Sequence, residues 1–364
     1  MKAAVFHGPG VVKVEDIPVP DIGVDELLVA VRAASICGTD LRIAEHGHFK
    51  LPDGRHRVLG HETAGVVVEV GPQARGFAPG DRVSITPNIG CGHCRFCRRG
   101  LNNMCPDYEA FGITIDGGFE EYLRVPGHAL QRGNVFRLPD NVSFATAALL
   151  EPFSCCLRGQ HVLDVGRDDI VVIVGAGPIG IFHTLLAKLS GAAKVIVANR
   201  SPQRLDRARE AGADVTVLTS RENLEEVVME QSAGRGADVV LTCVSDPAVQ
   251  TQAVTLLATH GRLNFFSGLG RGAGAQIDTN RVHYRGLVLT GTTGSSNSDY
   301  ERSLALVTEG RVDLSRFISR TFDIEQIGEA MEHASSGAGM KAMVTFPEEP
   351  ARLGERHRKG GVDE

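Results

Sequence analysis

A marked excess of charge of one sign is missing from this 364-residue sequence: Lys plus Arg is 38 against 44 Asp plus Glu, a formal net charge of -6. That balance gives no basic footprint for nucleic acid or an anionic membrane. No secretory leader is expected either. The chain opens on the charged, strand-like KAAVFHGPGVVKVEDIPVP, which has no apolar h-region and no apolar span of about twenty residues. A soluble, cytoplasmic protein is therefore expected. Internal repeats and low-complexity tracts are also absent, which removes solenoids and disordered scaffolds from consideration.

What is present is enough chain for two cores. Residues 1 to about 150 are dense in Gly and Pro, with short β-branched runs such as LLVAVRAAS, AGVVVEVG and DRVSITP. Those are marks of a β-rich domain with many turns. From Asp168 strands alternate with helices: DIVVIVG, then PIGIFHTLLAKLSG; AKVIVANR, then SPQRLDRAREAGA; and so on to GLVLTGTT. This is the pattern of a doubly wound parallel α/β sheet. After about Gly291 the pattern changes again. A helix around Tyr300 to Glu309, a helix over FDIEQIGEAMEHA and a KAMVTF strand are expected to rejoin the first domain. The expected division is 1–153 with a lobe at 90–106, 154–291, 292–346, and a polar tail at 347–364.

Half of the eight cysteines, Cys91, Cys94, Cys97 and Cys105, fall in CGHCRFCRRGLNNMC. Four thiolates at that spacing on one short loop can close a tetrahedral shell around zinc, and a closed shell leaves no position for chemistry. The lobe is expected to hold a structural zinc. Thiol-rich sites of this kind also suit a reducing compartment.

Gly175, Gly177 and Gly180, with Pro178 and Ile179 between them, form GAGPIG between the DIVVIVG strand and the next helix. There the glycines allow a tight turn, close approach to a pyrophosphate and close helix packing, with phosphates at the helix N-terminus. The following strand ends in Asn199 and Arg200, where a carboxylate would have taken a ribose 2′-hydroxyl. An arginine without that acid suits a 2′-phosphate, so NADP is favoured over NAD, with Arg204 one turn on as a further contact or an adenine stack.

Cys37 in SICGTD, His61 and Glu62 in VLGHETAG, and Glu151 in LLEPFSCC are scattered, but a thiolate, an imidazole and carboxylates fit an open catalytic zinc. GHE, the four-cysteine lobe, the EP after a Leu pair and GAGPIG occur in the order seen in the zinc-containing medium-chain dehydrogenases. Over residues 1 to 346 the chain resembles that family, and most closely its sorbitol and threonine dehydrogenase branch. The resemblance implies a GroES-like catalytic domain, a Rossmann domain, and both a catalytic and a structural zinc in each subunit. It implies Cys37 and His61 as catalytic-zinc ligands and Glu151 in the sorbitol-branch ligand position. Glu62 is then either a ligand or an outer partner, and the two glutamates can exchange. Thr39 matches the family's relay hydroxyl. Arg42 stands where many relatives carry a relay histidine, and Leu289 where sorbitol dehydrogenases place an arginine.

The activity so implied is zinc-dependent hydride transfer between NAD(P) and a secondary alcohol such as a polyol, sugar alcohol or cyclitol, by a homodimer or homotetramer. A primary-alcohol or threonine-type dehydrogenase is the near alternative. A non-catalytic NADPH-binding regulator is the alternative of another class.

Overall fold

In a computed structural model the chain is described for residues 1–51 and 54–347, and it divides into two compact units. The first comprises Met1–Glu151 and the return from Ser295; the second is Pro152–Gly294. The chain thus changes unit after Glu151 and after Gly294, where the sequence reading put the seams at 153 and 291. The polar tail expected at 347–364 lies outside the described residues apart from Pro347.

The first unit is built on a seven-stranded sheet. Its order is Val135–Arg137, Arg82–Ile85, Glu62–Val70, Leu27–Ser35, Lys341–Thr345 and Ile318–Asp323, with Tyr122–Val125 also paired to Leu27–Ser35. Every pair is antiparallel except the last two strands of that path. Leu27–Ser35 is buried at all but one position, as expected of a strand with neighbours on both edges and a core against it. A second sheet of Val11–Asp16, Lys2–Gly8 and Arg57–Val58 closes over this core, in which Phe6, Leu59, Phe111 and Phe119 are all buried. The KAMVTF segment does return to this unit, pairing Met343 with Ser35.

One element differs from its sequence reading. Phe322 and Asp323 end a strand, Ile318–Asp323, and the helix begins only at Ile327. The Phe322 ring is drawn into the core beside its register partner Val344, and tertiary burial overrides the helical pattern of the following residues.

The second unit is a six-stranded parallel sheet in the order Val215–Leu218, Lys194–Asn199, Ile170–Val174, Ala237–Thr242, Leu257–Phe265, Val288–Gly291. This is the 3-2-1-4-5-6 order of the Rossmann fold, with the strand order reversing beside Ile170–Val174. That strand is buried along its whole length, which is why it reads as an unbroken apolar run.

Candidate metal centres and nucleotide loop

The helix Gly38–His46 begins immediately after Cys37, and its third residue, Asp40, is fully buried. Asp40 accepts hydrogen bonds from the Cys37 amide (2.9 Å), the Gly60 amide (3.3 Å) and His61 Nδ1 (3.1 Å). One carboxylate therefore ties the start of the helix to the turn before Glu62–Val70, and leaves Nε2 of His61 as the ring nitrogen not engaged by Asp40. Cys37, His61 and Glu62 each bring one donor atom into a group whose members all lie within 4.8 Å of one another.

The charges around this group favour a cation. Burial disfavours the imidazolium of His61, yet the Asp40 carboxylate and the Cys37 sulfur more than offset it and hold the pKa well above 6.5. Glu62 is fully buried, and Lys341 Nζ donates to its two oxygens at 2.9 and 2.6 Å and to the Ile36 carbonyl at 2.8 Å. Burial also opposes the Lys341 charge, but Glu62, Cys37 and Asp40 outweigh it and raise its pKa. A thiol, an imidazole and a carboxylate converge here with a second buried carboxylate behind the ring, a donor set that fits zinc. Glu151 is buried at the start of the helix Leu150–Leu163 and lies outside the 4.8 Å group. Thr39 is half-buried in the first turn of the Cys37 helix.

Sulfurs of Cys91, Cys94, Cys97 and Cys105 form the other group within 4.8 Å. Backbone amides of Cys91, Cys94 and Cys97 donate to the sulfurs of Cys105, Cys91 and Cys94 at 3.3 to 3.4 Å. The amide of Cys97, more than any other group, lowers the Cys94 pKa to about 7, whereas burial pushes Cys97 up to about 12. Four thiols that cannot all ionise beside one another form a closed set that a divalent cation completes. The loop passes so near Cys97 that a Cβ on Gly90 would lie 2.6 Å from its sulfur.

The glycine loop joins Ile170–Val174 to the helix Pro178–Leu189, with Pro178 at the helix start. Gly175 has φ +109°, and a Cβ on Gly180 would collide with the Gly175 carbonyl oxygen. Only glycine fits at either position. Asn199 Oδ1 accepts from the Ala176 amide at 3.4 Å, so the end of the next strand is fastened to the loop by an amide side chain. Arg200 is exposed, and Arg204 lies close enough that a Cβ on Gly177 would be 3.8 Å from its guanidinium.

Two partners of the Cys37 group, both in the first unit, are not among the residues expected from the sequence. Asp40 had a signal, an acid three residues after Cys37 in a capping position. Lys341 had none, because only the sheet register brings it to Glu62.

Residues 23–140 match the family described as the alcohol dehydrogenase GroES-like domain, and residues 178–309 the zinc-binding dehydrogenase family. The L-threonine 3-dehydrogenase of Alteromonas mediterranea is 35% identical over 335 residues, 91% of this chain and 95% of that protein. A solved zinc-binding dehydrogenase from Sinorhizobium meliloti 1021, bound to NADP, superimposes with a TM-score of 0.87 at 32% identity, covering 95% of this chain and 99% of that one. Galactitol-1-phosphate dehydrogenase from Escherichia coli gives 0.84 at 26% identity, covering 95% and 100%.

Proposed function

The chain belongs to the zinc-containing medium-chain dehydrogenases, oxidoreductases of the zinc-dependent alcohol dehydrogenase type, and from that premise we propose that it interconverts a secondary alcohol of a small polar substrate, such as a polyol, sugar alcohol or cyclitol, with its ketone. The observation that carries this reading is the convergence of Cys37, His61 and Glu62, with Asp40 behind the imidazole and Lys341 on the carboxylate. When bound, zinc supplies Lewis acidity to the alcohol or carbonyl oxygen, and the nicotinamide takes or gives the hydride.

The residues themselves prepare that chemistry. Cys37 and His61 are the fixed donors; Asp40 sets the imidazole's tautomer and orientation, and increases its basicity. Lys341 gives Glu62 a buried counter-charge, so this carboxylate can serve as donor or as partner. Glu151 is the further carboxylate of the site, and its exchange with Glu62 belongs to the same reading. Thr39 is suited to pass the hydroxyl proton outward. With Arg42 in place of a relay imidazole, water carries the proton from there.

Gly175, Gly177, Pro178, Ile179 and Gly180 are assigned to the pyrophosphate, and Asn199, Arg200 and Arg204 to the adenosine end. The NADP carried by the Sinorhizobium neighbour and the absence of an acid after Ala198 support NADP over NAD. Arg200→Asp is expected to move the ratio of kcat/KM values toward NAD by tenfold or more, on the order of a lost charge-assisted contact. An unchanged ratio would refute the assignment.

A threonine-type substrate is the second reading, supported by the 35% identical relative. Polyols, cyclitols, sugar phosphates, simple alcohols and L-threonine, each offered with both cofactors and followed at the reduced-nicotinamide absorbance, separate the two. Turnover of L-threonine well above every polyol would replace the first reading with the second. A homodimer or homotetramer is proposed as the assembly, to be checked by light scattering.

A further inference from the structure

The turn that delivers His61 is gripped from two sides, and the mechanism above uses only one of them. Asp40 takes the Gly60 amide. On the other side the successive amides of Gly117, Gly118 and Phe119 donate to the carbonyls of Val58, Gly60 and Leu59 at 2.9, 2.8 and 3.0 Å. These are the last three carbonyls before His61. The stretch that binds them is itself anchored, because the Phe119 carbonyl accepts from the Ala4 amide at 2.8 Å, on the strand Lys2–Gly8, and the Phe119 ring is fully buried.

Asp116 opens the stretch with a side chain. Its Oδ1 accepts from the Val58 amide at 3.0 Å and from Arg57 Nη1 at 2.8 Å, so Val58 meets Asp116 with its amide and Gly117 with its carbonyl. The fit leaves no slack. A Cβ on Gly117 would collide with the Gly60 carbonyl oxygen, and one on Gly112 would lie 2.6 Å from the same atom. A donor to a metal must be held to within about 0.5 Å, and an imidazole on a turn inherits any displacement of that turn. Clearing a methyl at Gly117 would move the Gly60 carbonyl by on the order of 1 Å, which exceeds that tolerance.

We propose that residues 116–119 are a positioning segment of the catalytic metal site: the Asp116 carboxylate and the amides of Gly117, Gly118 and Phe119 fix the backbone of 58–60 and so aim the His61 imidazole at the metal. The proposal rests on the reading of Cys37, His61 and Glu62 as zinc donors. Asp116 and Gly117 act through that backbone and not through the donor atoms.

The test uses the full chain with zinc in the four-cysteine lobe and cobalt(II) at the Cys37 group, where the visible absorption bands report the geometry of the donors. Gly117→Ala is expected to shift those bands and to weaken the metal at this site about tenfold in chelator competition, as loss of an outer partner does. The four-cysteine metal should be retained. Asp116→Ala should move the same bands in the same direction by less, and it carries the test if Gly117→Ala folds poorly. Asp116→Asn keeps an oxygen for the Val58 amide and should restore the wild-type bands, a rescue that separates positioning from a general loss of stability. Unshifted bands in folded Gly117→Ala, or in Asp116→Ala where it alone folds, would overturn the proposal. Bands displaced as far in Asp116→Asn as in Asp116→Ala, or unmoved in Asp116→Ala beside a shifted Gly117→Ala, would overturn the part given to the carboxylate. A wild-type chain that takes no metal at Cys37 would instead remove the parent reading.

Discussion

Asp40 is the residue on which the geometry of the candidate catalytic group turns. Its carboxylate meets three donors, and two of them, the Cys37 amide and His61 Nδ1, belong to residues assigned as metal donors. Asp40→Asn keeps the shape but removes the charge, and one arm of the amide then presents a donor to groups that are themselves donors. Zinc affinity at the Cys37 site is expected to fall about 10- to 100-fold, with kcat/KM falling alongside it, while the circular dichroism of the fold is retained. Unaltered zinc affinity would show that the imidazole needs no such support. Lys341 makes a different kind of contribution. Its removal strands a fully buried carboxylate, so Lys341→Met should cost about 3–5 kcal/mol in urea unfolding of the metal-free chain; a loss below about 1 kcal/mol would mean that Glu62 is protonated or solvated instead.

At the scale of elements, the strand, glycine turn and helix from Ile170 to Leu189 make the case most open to a backbone test. Gly180→Ala forces the first helical turn away from the Gly175 carbonyl, since the added methyl has no space. NADPH binding followed by nucleotide fluorescence should weaken at least tenfold, with zinc content unaltered; unchanged affinity would mean that the loop does not hold the pyrophosphate. This element was legible in the sequence because its turn, its fully buried strand and its proline-opened helix all follow from local rules. The four-cysteine lobe was legible for the same reason, as its ligands are near neighbours in the chain. The strand Ile318–Asp323 was not, because Phe322 owes its conformation to Val344 across the sheet rather than to its own neighbours.

Across the whole molecule, the two units carry buried titratable groups of opposite habit, and this sets how the chain responds to acid. In the second unit His183 is fully buried against the edge of Phe266, and desolvation lowers its pKa from 6.5 to about 3. The unfolded chain protonates this histidine first. Its contribution to stability is therefore complete above about pH 6.5 and is lost as pH falls toward 3, with a slope of up to about 1.4 kcal/mol per pH unit. In the first unit Glu120 is buried, and desolvation, helped by Asp116 and opposed by Arg57, holds its pKa well above 4.5. There the folded chain binds the extra proton, so stability is fullest below about pH 4.5 and declines as pH rises toward the raised value. Acid thus weakens residues 152–294 through His183 while Glu120 favours the folded first unit. Hydrogen exchange between pH 6.5 and 4 should show the parallel sheet opening before the sheet built on Leu27–Ser35. His183→Leu should flatten the acid-side slope of urea-derived stability by about one proton's worth, and Glu120→Gln should flatten the loss on the neutral side. If both variants keep the wild-type slopes, the two groups titrate alike in folded and unfolded chains, and the order of acid unfolding must be set by other residues.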